Sequence, residues 1–106
     1  MKPVEFLADS LDSLRGFPRL ARREAGFQID RVQRGLEPFD WRPMSSVGAG
    51  VHEIRLRDES GAYRVLYVAK FEEAVYVLHC FQKKTRTTPK RDIALAERRY
   101  RELMKE

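Results

Sequence analysis

The sequence predicts an α+β domain in which a small antiparallel sheet is accompanied by two N-terminal helices and a C-terminal helix. Three observations predict it. Residues 51–81 hold three strand-like runs separated by short turns, and apolar side chains recur at helical steps first over residues 18–36 and again over residues 89–104. The chain of 106 residues has room for one domain, residues 1–106, because independent cores usually need roughly 100–150 residues each.

The elements follow in order. Val4 and Phe6 alternate with Glu5, a short strand. Ser10 can cap a brief helix whose apolar contacts come from Leu11 and Leu14. Pro18 suits a first helical turn, Ala21, Ala25, Ile29, Val32 and Leu36 make one apolar stripe, and Gly35 is a natural stop. Pro38, Pro43, Gly48 and Gly50 mark a loop around Trp41, whose indole should pin it down by burial. Then come the strands. His52, Ile54 and Leu56 alternate with Glu53, Arg55 and Arg57, and residues 58–61 supply a turn. Tyr63 to Lys70 puts Arg64 on one face and Tyr63, Val65 and Tyr67 on the other. Val75 to Phe81 is rich in β-branched and aromatic residues, and the short turns make the three an antiparallel meander. Thr88 reads as an N-cap and Pro89 as a first helical residue, after which Ile93, Ala96, Tyr100, Leu103 and Met104 form a stripe. That stripe can lie on the sheet or on another chain, and the sequence does not choose.

Composition narrows the function. With 42% hydrophobic and 35% charged residues, the chain can bury a core and must wet its exterior. No apolar run approaches the ~18 residues of a membrane span, and MKPVEFLADS lacks a secretory pattern, so a cytoplasmic protein with no membrane association is expected. Cys80 is the only cysteine and His52 and His79 the only histidines, too few for a closed zinc site. No metal and no cofactor is the expectation. There is no Walker-type loop, no G-x-G-x-x-G and no nucleophile elbow.

The charge distribution points to a partner. Residues 1–78 balance twelve basic against twelve acidic residues, whereas residues 79–106 carry nine basic and four acidic, so the whole net charge of +5 lies in the last quarter. Gln82 to Arg91 holds Lys83, Lys84, Arg86, Lys90 and Arg91 with no acid. Such a cluster repels itself unless a polyanion neutralises it, which makes nucleic acid the leading partner class; a solvated loop that aids solubility is the plainer alternative.

Arg64 interrupts an otherwise apolar strand in the middle of the expected sheet, and a guanidinium there needs a carboxylate or a phosphate. Glu53, Arg55 and Arg57 on the adjoining strand can converge on it, although an ordinary Arg64 and Glu53 cross-strand pair would also account for the pattern. His79, Phe81 and Lys83 share a parity, bringing an imidazole, a ring able to stack on a base and a cation toward one surface. These groups suit a reaction without metal or cofactor. The 2′-OH of RNA can attack its own phosphate, so a protein need only position the strand, stabilise the crowded phosphorus and move protons.

The runs EIRLR, YRVLY and HCFQKKT, followed by T-P and a helix carrying A-x-x-R, resemble the RelE/HigB-type toxins of bacterial toxin-antitoxin systems, in their phage-related branch. The resemblance is close over residues 51–103 and looser over the N-terminal helical pair. It implies a compact α+β domain with helices on one side of a small antiparallel sheet. It also implies ribosome-dependent, metal-independent cleavage of mRNA, held off by a helix-turn-helix antitoxin through which alone operator DNA is reached. By the same resemblance, Arg64 holds the scissile phosphate and Lys83 and Lys84 are the basic residues after the last strand. Arg55 and Arg57 contact the message or ribosomal RNA, and Glu53 is an acidic position used by some members. The chain departs from members with a histidine or tyrosine acid-base group near the C-terminus: Tyr100 falls on an apolar stripe, leaving His79 or a lysine to handle protons. Phe81, Arg86, Lys90 and Arg91 complete the expected RNA contacts. The alternative is a non-catalytic RNA- or antitoxin-binding module, a degenerate toxin.

Overall fold

A computed structural model describes residues 1–105. Its elements are β1 (Val4–Phe6), α1 (Ser10–Arg15), α2 (Arg19–Gln33), β2 (Trp41–Pro43), β3 (Val51–Asp58), β4 (Gly61–Val68), β5 (Val75–Lys83) and α3 (Lys90–Met104). The strands form one sheet in the order β1-β5-β4-β3-β2. The α+β architecture and the β3-β4-β5 meander are as the sequence predicts. The sheet is mixed, however, because β1 joins the edge of β5 in parallel, and a three-residue strand, β2, extends the opposite edge within the stretch read as loop.

The alternation of β4 divides the molecule. Tyr63, Val65 and Tyr67 turn toward α1 and α2, where they pack with Ile54, Leu56, Ala21, Ala25 and Ile29. Leu66 and Val68 turn the other way, toward Met44, Val51 and Ala96 of α3. Helices therefore cover both faces, not one: two on the first, and α3 on the second. The apolar stripe of α3 lies on the sheet of its own chain, with Ala96 fully buried, while Met104 at its end is exposed.

β5 changes phase midway. Leu66 pairs with His79 and Tyr67 with Val77, so Leu78 is an extra residue in the ladder. Val77 and Cys80 face the same core as a result, and Leu78 joins the α3 side.

Local chemistry at the helix ends also differs from the expectation. Pro18 and Pro89 are the caps of α2 and α3, and Asp9 is the cap of α1. Ser10, fully buried, instead donates its hydroxyl to the Val77 carbonyl. Gly35, at φ 83°, ends α2: its N–H donates to Val32 O and that of Leu36 to Arg31 O, the paired bonds of a Schellman ending. Leu36 is thereby turned out to solvent. Trp41 is only half-buried, stacked on His52 at 4.4 Å, because it lies on the edge strand rather than over the core.

A cationic cleft as the candidate functional site

The pairing register builds the site. Arg42 of β2 lies directly across from Glu53 of β3, and Arg55 lies directly across from Arg64 of β4. All four residues share the parity of Val51 and Leu66, so their side chains are on the α3 side of the sheet. Lys83 follows two residues after Phe81, the partner of Arg64, which places it diagonally across from that arginine.

Glu53 is completely buried and carries the arrangement. Its Oε1 accepts from Arg42 Nε at 2.8 Å and stands 3.6 Å from Arg64 Nε; its Oε2 accepts from Thr88 Oγ1 at 3.3 Å. A buried carboxylate is tolerated only when its lone pairs are met. Arg64 is 6% exposed, and its Nη1 donates to the Tyr63 carbonyl at 3.0 Å. The Glu53 contact is too long to be a hydrogen bond, so Arg64 Nε, itself buried, is without a hydrogen-bond acceptor among the described residues. Burial lowers the Arg64 pKa from its ordinary value, the Glu53 charge opposing the shift and Arg55 and Arg42 adding to it.

Above this floor lies a cleft of about 410 Å³ lined by Arg42, Arg55, Arg64, Lys83 and Arg86, with Thr87 and Thr88 at its wall. Lys83 Nζ donates to the Arg86 carbonyl at 2.7 Å, which holds the ammonium at the rim. Partial burial and the charge of Arg64 lower its pKa below the usual lysine range; Glu53 opposes them, and Arg42 and Arg55 add to them. Five cations around one recess can grip a phosphate and polarise its oxygens.

Not all the expected site residues meet there. Arg64, Lys83, Arg55, Arg86 and, beneath them, Glu53 converge. Arg57 lies outside this cleft; it lines the neighbouring groove between β3 and α2 and, with Arg55 and Arg64, a smaller recess beside it. Lys84 is exposed beyond the rim, and Lys90 and Arg91 are exposed on the first turn of α3. Two cations there oppose the helix dipole, offset within that turn only by Asp92. His79 lies under α3, with Nε2 2.7 Å from Asp92 Oδ1, and its ring stacks on Phe81 at 5.0 Å. Both rings are buried and neither lines the cleft.

Three contributors were not foreseen. Arg42 sat in a stretch with two prolines and no alternation, so nothing marked it as a strand residue facing Glu53. Thr88, expected as a cap, is a buried ligand of Glu53; a threonine before a proline fits either role. Tyr100 supports the loop that supplies Met44 and Ser46 to the cleft. Its hydroxyl donates to the Ala49 carbonyl at 2.8 Å and accepts from Lys70 Nζ at 3.0 Å. Its ring lies so close to Gly48 that a Cβ at that position would stand 2.5 Å from ring carbons.

Residues 12–101, from α1 through most of α3, match the family described as Phage derived protein Gp49-like (DUF891). The chain belongs to this Gp49-like family. The family is one of RelE-like toxins associated with toxin-antitoxin systems, so the kinship read from the strand and loop motifs stands at family level. No curated protein matches the chain. Among the described residues of this Gp49-like chain, no group of histidine, cysteine or carboxylate side chains is placed to hold a metal ion. Among the same residues, no helix is long and apolar enough to cross a membrane.

Proposed function

We propose that this Gp49-like protein is the toxin of a type II toxin-antitoxin pair and acts as a RelE/HigB-like, ribosome-dependent endonuclease of mRNA. The observation that supports this reading is the convergence of four arginines and Lys83 on one cleft floored by the buried Glu53. Arg64, fixed by Tyr63 O and Glu53, stabilises the charge that gathers on the phosphorane oxygens, and Arg42 and Arg55 hold the strand. The 2′-oxygen bonds to phosphorus as its proton leaves to water. The bond from phosphorus to the 5′-oxygen breaks, and Lys83, as an ammonium of lowered pKa, protonates the departing oxygen. The products are a 2′,3′-cyclic phosphate and a 5′-hydroxyl. The exposed Lys84, Lys90 and Arg91 extend the cationic track toward ribosomal RNA, and a helix-turn-helix antitoxin restrains the protein.

A second reading has its own support. The cleft lining contains no histidine, tyrosine or carboxylate, and Arg64 is 6% exposed, features that suit a module binding RNA or an antitoxin without cleaving. Mapping transcript 5′ ends after induction separates the two. New ends that are absent with Arg64→Ala are expected for the nuclease, and unchanged ends alongside ribosome binding would leave the binding module.

A further inference from the structure

We propose that the outer ridge of α2 is a docking surface for an acidic amphipathic helix of a partner protein. The inference builds on the reading that a protein restrains this chain and locates that contact, on the opposite side of the sheet from the cleft. Leu20, Phe27 and Phe39 are 63%, 49% and 67% exposed. Leu20 and Phe27 are seven residues apart on α2, two turns or about 10.5 Å along its axis, the repeat with which a second helix meets a seam.

Phe39 is held in place rather than left loose. Its backbone N–H donates to Oε1 of the buried Gln28 at 2.8 Å, and its ring lies 5.7 Å from that of Phe27. The Arg31 guanidinium sits 4.3 Å from the ring centre while its Nε donates to the Glu37 carbonyl. An exposed aromatic ring fixed in this way loses little entropy when covered, the property of an anchor at an interface.

Charge identifies the occupant. Over residues 19–37, Arg19, Arg22, Arg23, Arg31 and Arg34 outnumber Glu24, Asp30 and Glu37; Asp30 is paired with Arg34, and Glu24 accepts from Gln28. Arg19 and Arg23 have no hydrogen-bond or ionic partner among the described residues. An apolar stripe flanked by Asp or Glu would cover the seam and meet these guanidinium groups. A second copy would instead bring arginine against arginine. RNA is disfavoured because Arg31 already covers one face of the Phe39 ring.

The test uses the full-length protein and two synthetic peptides of about 15 residues, long enough to form a helix on the surface. They share a leucine stripe and differ only in flanking it with glutamate or lysine. Fluorescence anisotropy should show saturable binding of the glutamate peptide, weakened about tenfold or more by Phe39→Ser and by Arg23→Glu. The proposal is overturned if both peptides bind alike, if neither binds, or if neither substitution matters. It is also overturned if Phe39→Ser abolishes self-association of the wild-type chain or its binding to a uridine oligonucleotide. RNA cleavage by Phe39→Ser should equal that of the wild type, so failure of the nuclease reading and failure of this one are separate results.

Discussion

The two faces of β4 are built on opposite terms. Toward α1 and α2, Ile54, Tyr63, Val65 and Tyr67 join one apolar core, and the buried polar side chains of those two helices, Ser10 and Gln28, carry no charge. Toward α3, the same strands bury Glu53, Arg64 and His79 among Val51, Leu66, Leu78 and Phe81. The first face is held by non-directional burial, which tolerates small changes of shape. The second contains charges whose desolvation is offset only by specific partners, so it is stable in one arrangement. A fold can be specified by the first face while chemistry is concentrated on the second.

Substitutions should break this contrast in order of size. Glu53→Ala leaves Arg64 buried without a counter-ion and should lower stability by about 3–5 kcal/mol, the loss typical of a broken buried pair. Urea unfolding measures it, and a loss within the range of an exposed pair would mean that the cleft is wetter than its burial implies. Gly48→Ala drives a methyl group into the Tyr100 ring and should cost about 1–3 kcal/mol as the loop beside the cleft shifts. Cleavage should fall with it, because Met44 and Ser46 move with that loop. On the apolar face, Ile54→Val should cost only about 0.5–1.5 kcal/mol and leave the activity of the folded protein unchanged.

The smallest effect is one of pH. Asp9 accepts from Arg99 Nη2 at 2.6 Å, and this bond and the arginine's charge lower its pKa below 3.8. A depressed carboxylate stabilises the fold above its unfolded value, and that contribution is lost as pH falls through the folded value. Asp9→Asn should therefore flatten the acid limb of a stability profile below about pH 4, the unfolded range for this group. An acid limb identical to that of the wild type would place the Arg99 contact outside the stability of the fold.

How much of this was legible in the sequence follows the same division. Arg64 stood out because a charge broke the parity of an apolar strand, and Glu53 and Arg55 followed from alternation in the neighbouring one. The parallel contact of β1 was not legible, since pairing across about seventy residues of sequence leaves no local signal. Arg42 was hidden for a related reason: a three-residue edge strand has too little alternation to show its period. His79, Phe81 and Lys83 do share a parity, but only Lys83 extends past α3 into the cleft. Asp92 and the packing of Ala96 decide that difference, and both belong to tertiary structure.

The most direct measurement is of single-turnover cleavage on purified ribosomes programmed with a defined mRNA, comparing wild type with Arg64→Ala and Arg64→Lys. Removing one preorganised donor to a developing oxyanion costs about 10²–10³ in rate. At least that loss is expected in Arg64→Ala, with partial recovery in Arg64→Lys and wild-type products ending in a 2′,3′-cyclic phosphate. Wild-type cleavage by Arg64→Ala, in a protein whose unfolding midpoint shows it to be folded, would contradict that expectation.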